Sequence, residues 1–544
     1  MTSDPVSELR GAAGQAADEL RGNGAGGELP GLERPPRADF GDYSTNAAML
    51  LAPALGEPPR AIAERLGDVL GERLGGAVER VEIAGPGFLN LFMADAWYLG
   101  ALAGLLQAGE RYGEGRPELS ERINVEFVSA NPTGPLTVAS GRHAAYGDSL
   151  CRILTLAGHQ VESEYYVNDG GTQVRLFGES IRARARGESP PEDGYQGAYV
   201  AELAEQIEGA EAAADTEALA LRGIDLMLES IRGTLERFGV SMDRFSSERK
   251  LQEDGSLQST LDRLEELGHV YSLDGAVWLR TTAFGDDKDR VLMRSTGDYT
   301  YFATDIAYHE DKRRRGYDRA IDVWGADHHG YVGRTKASWQ AVGGRPDRLE
   351  LLIMQLVNLT EGGRRVQMSK REGTLVPLDD LIDDIGLGAA RWFLVQRPLE
   401  TTLDLDLELA RQNTQDNPVY YVQYAHARIA SILRKAGEGR VEEALEADLA
   451  SSSEQLHPSA RALVKRLLEF PGEVEEAGAR RAPHRLGAYV TEAAQEFSAF
   501  YRDCRVVGAA EEGGDEDVRL AICVMAGRVI ARGLDLLGVD APEE

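Results

Sequence analysis

Two stretches carry residues suited to phosphate chemistry: NPTGPLTVASGRHAAYGDSL at 131–150 and VQMSKREGTLVPLDD at 366–380. In the first, Pro and Gly residues forbid regular structure up to Leu136, and VASGRHAAYGDSLCRILTLAG then reads as a helix closed by Gly158. A helix start presents unpaired N–H groups and the positive end of the helix dipole, which suits an anionic phosphate chain. The second stretch places Lys370 and Arg371 in a loop. They read either as a solvated basic loop or as cations that close over the same phosphates and stabilise charge developing there. The chain has no GxxxxGK[ST] phosphate loop, no GxGxxG opening a helix after a strand pattern, and no HExxH or similar metal-ligand spacing.

The elements that must position these residues are legible around them. INVEFV (123–128) alternates as a strand, and HQVESEYYVND (159–169) supplies a second one after the helix. Strand, helix, strand over so short a span is a βαβ unit, which implies a parallel sheet with a right-handed crossover. Upstream, GDYSTNAAMLLAPALGEPPRAIAERLGDVLGERL carries two helical patterns divided at GEPP, and VERVEIAGPGFLNLFM reads as strand interrupted by Gly85-Pro86-Gly87. Residues 170 to about 250 are charged and helical, an insertion. Strand-like runs return at AVWLRTT, RVLMRS, TYFATD, RAIDVWGAD and LELLIMQLVN, and almost everything beyond residue 385 is helical. Asn417 and Pro418 form a cap and first-turn signal for one long helix that Gly437 stops.

With 544 residues the chain is too long for one core. It lacks an apolar run of membrane-spanning length and a signal-peptide pattern, and Cys151, Cys504 and Cys523 lie far apart, so a reducing, cytoplasmic setting is expected. The net charge of −31, from 90 acidic and 59 basic residues, argues against a nucleic-acid partner when taken alone. Local basic runs at 312–319, 361–365 with 369–371, and 479–485 leave that question open.

In combination these strings resemble arginyl-tRNA synthetase, a class I aminoacyl-tRNA synthetase, over nearly the whole chain. The residues that carry the resemblance are GDYSTNAAMLLA, VEIAGPGFLNLF, VEFVSANPTGPL, EYYVNDGGTQ, LRTTAFGDDKDRVL, YFATDIAYH, VWGADHHGYV, MSKREGT, DNPVYYVQYAHARI, FYRDCRV and GLDLLGV, in the family's order. The resemblance implies a multidomain α/β protein. Its parts would be an N-terminal α+β, tRNA-contacting domain (1–95), a Rossmann-like parallel-sheet catalytic domain (115–385, with the helical insertion at about 170–250) and an all-α anticodon-binding domain (400–544). It also implies an ATP-dependent ligase that makes arginyl-adenylate and passes the arginyl group to tRNA(Arg). The substrates would be L-arginine, ATP with Mg2+ carried on the nucleotide and no dedicated protein metal site, and tRNA, handled by a monomer.

By the same resemblance, ATP would meet Pro135, Thr137, Ala139, Ser140 and Gly141 on the turn and Gln367, Met368, Ser369, Lys370 and Arg371 on the loop, with Thr137, Ser140 and Lys370 catalytic. Tyr301 and Asp305, four apart on one helical face, would hold the guanidinium with Glu248 as a further acidic contact. Glu126 and Asn131 would bind the main-chain end, and Asp327 is a further arginine candidate. The chain departs from the family at the HIGH element, where Thr137-Val138-Ala139-Ser140 replaces His-x-Gly-His, and at the KMSKS element, where Gln367 replaces lysine. Thr137, Ser140 and Gln367 can still donate hydrogen bonds, and Arg142 and His143 in the next turn offer positive character. The alternative is a catalytically inactive paralogue that binds tRNA or arginine as an accessory protein.

Overall fold

The computed structural model describes residues 4–22, 31–35, 37–366 and 376–544. At the N-terminal end, Asp4 caps helix α1 (Pro5–Arg21). A four-stranded antiparallel sheet follows in the order β1 (Leu32–Glu33), β2 (Tyr43–Thr45), β4 (Phe88–Met93), β3 (Val78–Ala84). The Gly85-Pro86-Gly87 interruption is the turn of the β3–β4 hairpin. The two helices divided at GEPP are α2 (Ala47–Leu55) and α3 (Pro59–Leu74), and α3 buries Ile62, Leu66 and Leu70 at helical spacing. Helix α4 (Asp95–Ala108) leads on to the central sheet.

That sheet has five parallel strands in the order β12-β11-β5-β6-β7. Strand β5 (Arg122–Glu126) crosses through α5 (Val138–Leu156) to β6 (Gln160–Val167), and the helices α6 (Thr172–Ala185), α7 (Tyr199–Gln206) and α8 (Thr216–Arg237) precede β7 (Arg244–Ser247). After α9 (Glu248–Glu253) and α10 (Ser256–Glu266), a small antiparallel sheet is formed by β8 (Val270–Leu273), β9 (Ala276–Leu279) and β10 (Arg290–Met293). Helix α11 (Tyr301–Arg314) then returns the chain to β11 (Arg319–Gly325) on the other side of β5, and α12 (Val332–Ala341) leads to β12 (Leu349–Met354). The sequence direction therefore reverses between β5 and β11. In open parallel sheets the crevice beyond the carboxyl ends of such a pair is where ligands bind.

Two strand-like runs resolve differently from their sequence pattern. TYFATD is the start of α11: the Thr300 side chain accepts the Ala303 N–H, an N-cap that outweighs the β-propensity of Tyr301, Phe302 and Thr304. LELLIMQLVN is two strands, β12 and β13 (Val357–Glu361), broken at Gln355-Leu356. Strand β13 pairs with β14 (Arg364–Arg365) and, in parallel, with β15 (Leu403–Asp406). Strand pairing thus extends just past residue 400, before the C-terminal helices from Pro418 to Leu536. Helix α5 is pressed onto β5, where a Cβ at Gly147 would stand 2.1 Å from the Phe127 ring. Gly147→Ala should destabilise the fold by ~1–3 kcal/mol, read as a lower denaturation midpoint.

Candidate active site

The chain leaves β5 through a strained turn. Val128 and Ser129 adopt φ of 69° and 38°, a left-handed region that costs non-glycine residues ~1–3 kcal/mol each and recurs at functional sites. Side chains over-determine it: the Ser129 hydroxyl donates to Glu126 Oε1 at 2.9 Å and accepts the Tyr166 N–H at 3.1 Å. The Tyr165 hydroxyl donates to the Ala130 carbonyl at 2.7 Å. Thr137 is the N-cap of α5, but its Oγ1 accepts the Ser140 N–H only at 3.5 Å, and the two hydroxyls are likewise 3.5 Å apart. Such long contacts leave both hydroxyls free to turn towards a ligand. Pro135 and Ala139 are exposed beside them, whereas Gly141 is buried so closely that a Cβ there would stand 2.6 Å from Leu378.

Residues 367–375, which include Gln367, Met368, Ser369, Lys370 and Arg371, lie outside the described residues. The segment that follows them is paired to the turn. The Val138 N–H donates to the Val376 carbonyl at 3.1 Å and the Leu378 N–H to the Leu136 carbonyl at 2.8 Å, around an antiparallel bridge from Thr137 to Pro377. The two stretches with phosphate character, far apart in sequence, therefore meet at the start of α5.

Arg142 and His143 do not supply positive charge to this turn. The buried Arg142 guanidinium donates to the carbonyls of Gln355, Leu356, Pro398 and Thr401, at 2.7 to 3.4 Å, and so fastens α5 to the β12–β13 break. Burial pushes the His143 imidazole down to about 4, which keeps it neutral at pH 7.

Across the crevice the acidic candidates converge. Glu248 lies in the first turn of α9, which Ser247 caps, and is buried, and Asp305 lies half-buried one turn into α11. Burial, together with Asp305 and Asp169, raises the Glu248 carboxyl to about 7. Burial likewise raises Asp305 to about 6, against the pull of His309 and Arg334 and with a further push from Glu126. Tyr166, absent from the sequence candidates, has its phenol among the charges of Glu248, Asp305, Glu126 and Asp169, and its ring lies 4.4 Å from that of Tyr308. Tyr301 is 60 % exposed, with its hydroxyl so near Gly171 (φ 81°) that a Cβ there would stand 2.5 Å away. Gly171→Ala should therefore displace Tyr301 and raise the KM for a ligand held at Asp305, which substrate titration would measure. Glu126 ends β5 with its other oxygen 2.6 Å from buried Lys312. Asn131 is exposed and donates to Gln173 at 2.9 Å. Asp327, in the 3-10 turn after β11, is exposed, with His328 Nε2 3.7 Å from its carboxylate.

Burial raises both Glu248 and Asp305, and the two oppose one another's ionisation; such a pair of carboxyls suits a ligand that carries a guanidinium. The adjacent helix start suits its activation by a nucleotide.

Comparison with known proteins agrees in sequence and in fold. Three family models match: the arginyl tRNA synthetase N terminal domain at residues 8–93, the class I (R) tRNA synthetase catalytic domain at 209–401, and the DALR anticodon binding domain at 422–544. A curated arginine–tRNA ligase from Frankia alni is 48% identical over 532 residues, 94% of each chain. The arginyl-tRNA synthetase structure from Thermus thermophilus superposes with a TM-score of 0.78 at 26% identity, over 99% of both chains. A putative arginyl-tRNA synthetase from Campylobacter jejuni superposes at 0.75 with 32% identity, over 83% of this chain and 100% of that one. The protein belongs to the arginyl-tRNA synthetase family, class I aminoacyl-tRNA synthetases that act as ATP-dependent arginine–tRNA ligases.

Proposed function

We propose that this chain activates L-arginine with Mg2+-bearing ATP, releases pyrophosphate, and transfers the arginyl group to the terminal ribose of tRNA(Arg), using Thr137 and Ser140 where relatives carry imidazoles. The observation that supports this reading is the mutual influence of the carboxyls of Glu248 and Asp305, in a fold whose α5 start carries hydroxyls that are only loosely engaged. Attack of the arginine carboxylate on the α-phosphate requires little covalent work from the protein, so alignment and charge stabilisation dominate. Asp305 and Glu248 hold the guanidinium, Tyr301 covers it, and Glu126 and Asn131 orient the main-chain end. The α5 N–H groups with Thr137, Ser140 and Lys370 stabilise the departing pyrophosphate. The comparisons lend no support to an inactive paralogue. The test is aminoacylation of total tRNA with labelled arginine: incorporation into tRNA(Arg) is expected, and tRNA binding without incorporation would contradict the reading.

Of the basic runs, the one at 312–319 offers little free charge to tRNA. At 312–319 the charges are used internally: Lys312 is buried, Arg313 and Arg314 bind Glu310, Arg315 binds Glu164, and Arg319 binds Glu121 and Glu350. Phe500 is fully buried in the core and cannot stack on a base. Tyr420 and Tyr424 line a cavity of about 650 Å³ and stack with ring centroids 6.2 Å apart, and Arg428 lies 4.8 Å from the Tyr424 ring and 5.4 Å from that of Tyr501. This stacking platform with a cation suits single-stranded bases. Tyr424→Ala should weaken tRNA binding by ~1–3 kcal/mol in a filter-binding titration, with the arginine KM unchanged. Among the described residues no helix is long and apolar enough to cross a membrane. The cytoplasm is the compartment that fits the reaction, and a monomer is the form assigned.

A further inference from the structure

The parallel register sets three carboxylates side by side. Glu126 on β5 pairs with Asp322 on β11 and with Glu164 on β6, so all three side chains leave the same face of the sheet, and all are buried. Neighbouring strands lie ~4.8 Å apart, a spacing at which unpaired carboxylates oppose one another's ionisation. Helix α11 supplies the counter-charges. Glu164 is held by Arg315 at 2.8 Å and by the Asn124 amide at 2.7 Å. Lys312, fully buried, bridges the other two: its ammonium is 2.6 Å from Glu126 and 2.7 Å from Asp322. The second oxygen of Asp322 meets His309 Nε2 at 2.9 Å, and His309 Nδ1 lies 2.7 Å from the backbone carbonyl of Asp305. Asp305, His309 and Lys312 occupy one face of α11, at spacings of four and three. An unbroken chain of polar contacts therefore runs from the backbone of Asp305 to the carboxylate of Glu126.

We propose that Lys312 is a positioning residue for arginine, fixing the carboxylate of Glu126 and, through Asp322 and His309, its separation from Asp305. This rests on the reading that Glu126 and Asp305 serve the two ends of the amino acid. A rigid span between the two anchors measures the length of the ligand between its guanidinium and its α-carbon. The chain then discriminates by length as well as by charge. Lys312 touches no substrate itself, and its sequence context, KRRRGYDR, disguises it as surface charge.

The test uses the full-length protein with tRNA(Arg), and compares arginine with homoarginine, which is one methylene longer. Lys312→Met should raise the KM for arginine ~10–100-fold with the KM for ATP unchanged, the size expected for misplacing a bound group by about an ångström. It should also shrink the preference for arginine over homoarginine at least ~10-fold, because one methylene in a defined pocket is worth that much. Asp322→Asn is nearly isosteric and keeps the Lys312–Glu126 contact; it serves if the methionine variant does not fold, and should raise the arginine KM ~3–10-fold. Either folded variant with wild-type arginine KM and wild-type discrimination overturns the proposal. Failure of the unaltered protein to use arginine would instead overturn the functional reading on which it rests.

Discussion

Asp305→Asn raises the KM for arginine by at least ~30-fold and leaves the KM for ATP close to its wild-type value, because truncating one partner of a buried charge pair costs ~2–5 kcal/mol. Initial rates of pyrophosphate release at saturating ATP and tRNA would measure it. The expected size follows from the environment. Asp305 sits half-buried near Glu248 and Glu126, which oppose its ionisation. In the proposed function a bound guanidinium offsets that repulsion. An unchanged arginine KM would remove Asp305 from the pocket.

The same environment gives a pH dependence with a defined sign. Burial raises Glu248 to about 7 and Asp305 to about 6 in the free protein, so both carboxyls gain protons as pH falls from 8 to 5 and lose their attraction for the guanidinium. Arginine affinity should fall over that range. Near pH 6.5 binding should release protons, since the arriving cation lowers both carboxyls. Calorimetry in two buffers of different ionisation enthalpy reads that release directly, and a proton-neutral binding event would contradict it.

The second large effect is expected at the phosphate end. Lys370→Ala should slow adenylate formation by at least ~10²-fold, since one donor to a developing oxyanion is worth ~3–4 kcal/mol. In the proposed function Thr137, Ser140 and Gln367 offer only neutral donors, so the ammonium of Lys370 would carry much of the stabilisation. Single-turnover formation of arginyl-adenylate, with arginine affinity measured separately, distinguishes lost catalysis from lost binding. A change of only a few-fold would mean that the helix start stabilises the pyrophosphate without the ammonium.

Much of the scaffold was legible because it obeys local rules. The β5–α5–β6 unit, the α2–α3 pair and the helix Pro418–Ala436, with its Asn417 cap, follow periodicity and capping that short stretches reveal. The start of α11 was not, because Tyr301, Phe302 and Thr304 favour strands and only the Thr300 cap tips the balance. The basic run at 312–319 was misleading for another reason. Beside the local Glu310, its partners include Glu126, Glu164 and Asp322, which only strand register brings side by side, and register is a property of the assembled sheet. Tyr166 was visible within EYYVND, but nothing local showed that four carboxylates surround it. The roles of Glu248 and Asp305 follow from family resemblance alone, and their mutual influence is a property of the three-dimensional arrangement.

In the proposed function the hydroxyl-bearing start of α5, paired with Val376 and Leu378, takes part in the nucleotide chemistry together with Lys370. Pyrophosphate release from ATP, with arginine and the tRNA(Arg) transcript, measures this claim when run beside a tRNA-binding titration on the same sample. Arginine-dependent turnover that Lys370→Ala suppresses is the expected result. Tight tRNA binding with pyrophosphate release no higher than in the absence of protein would contradict the claim.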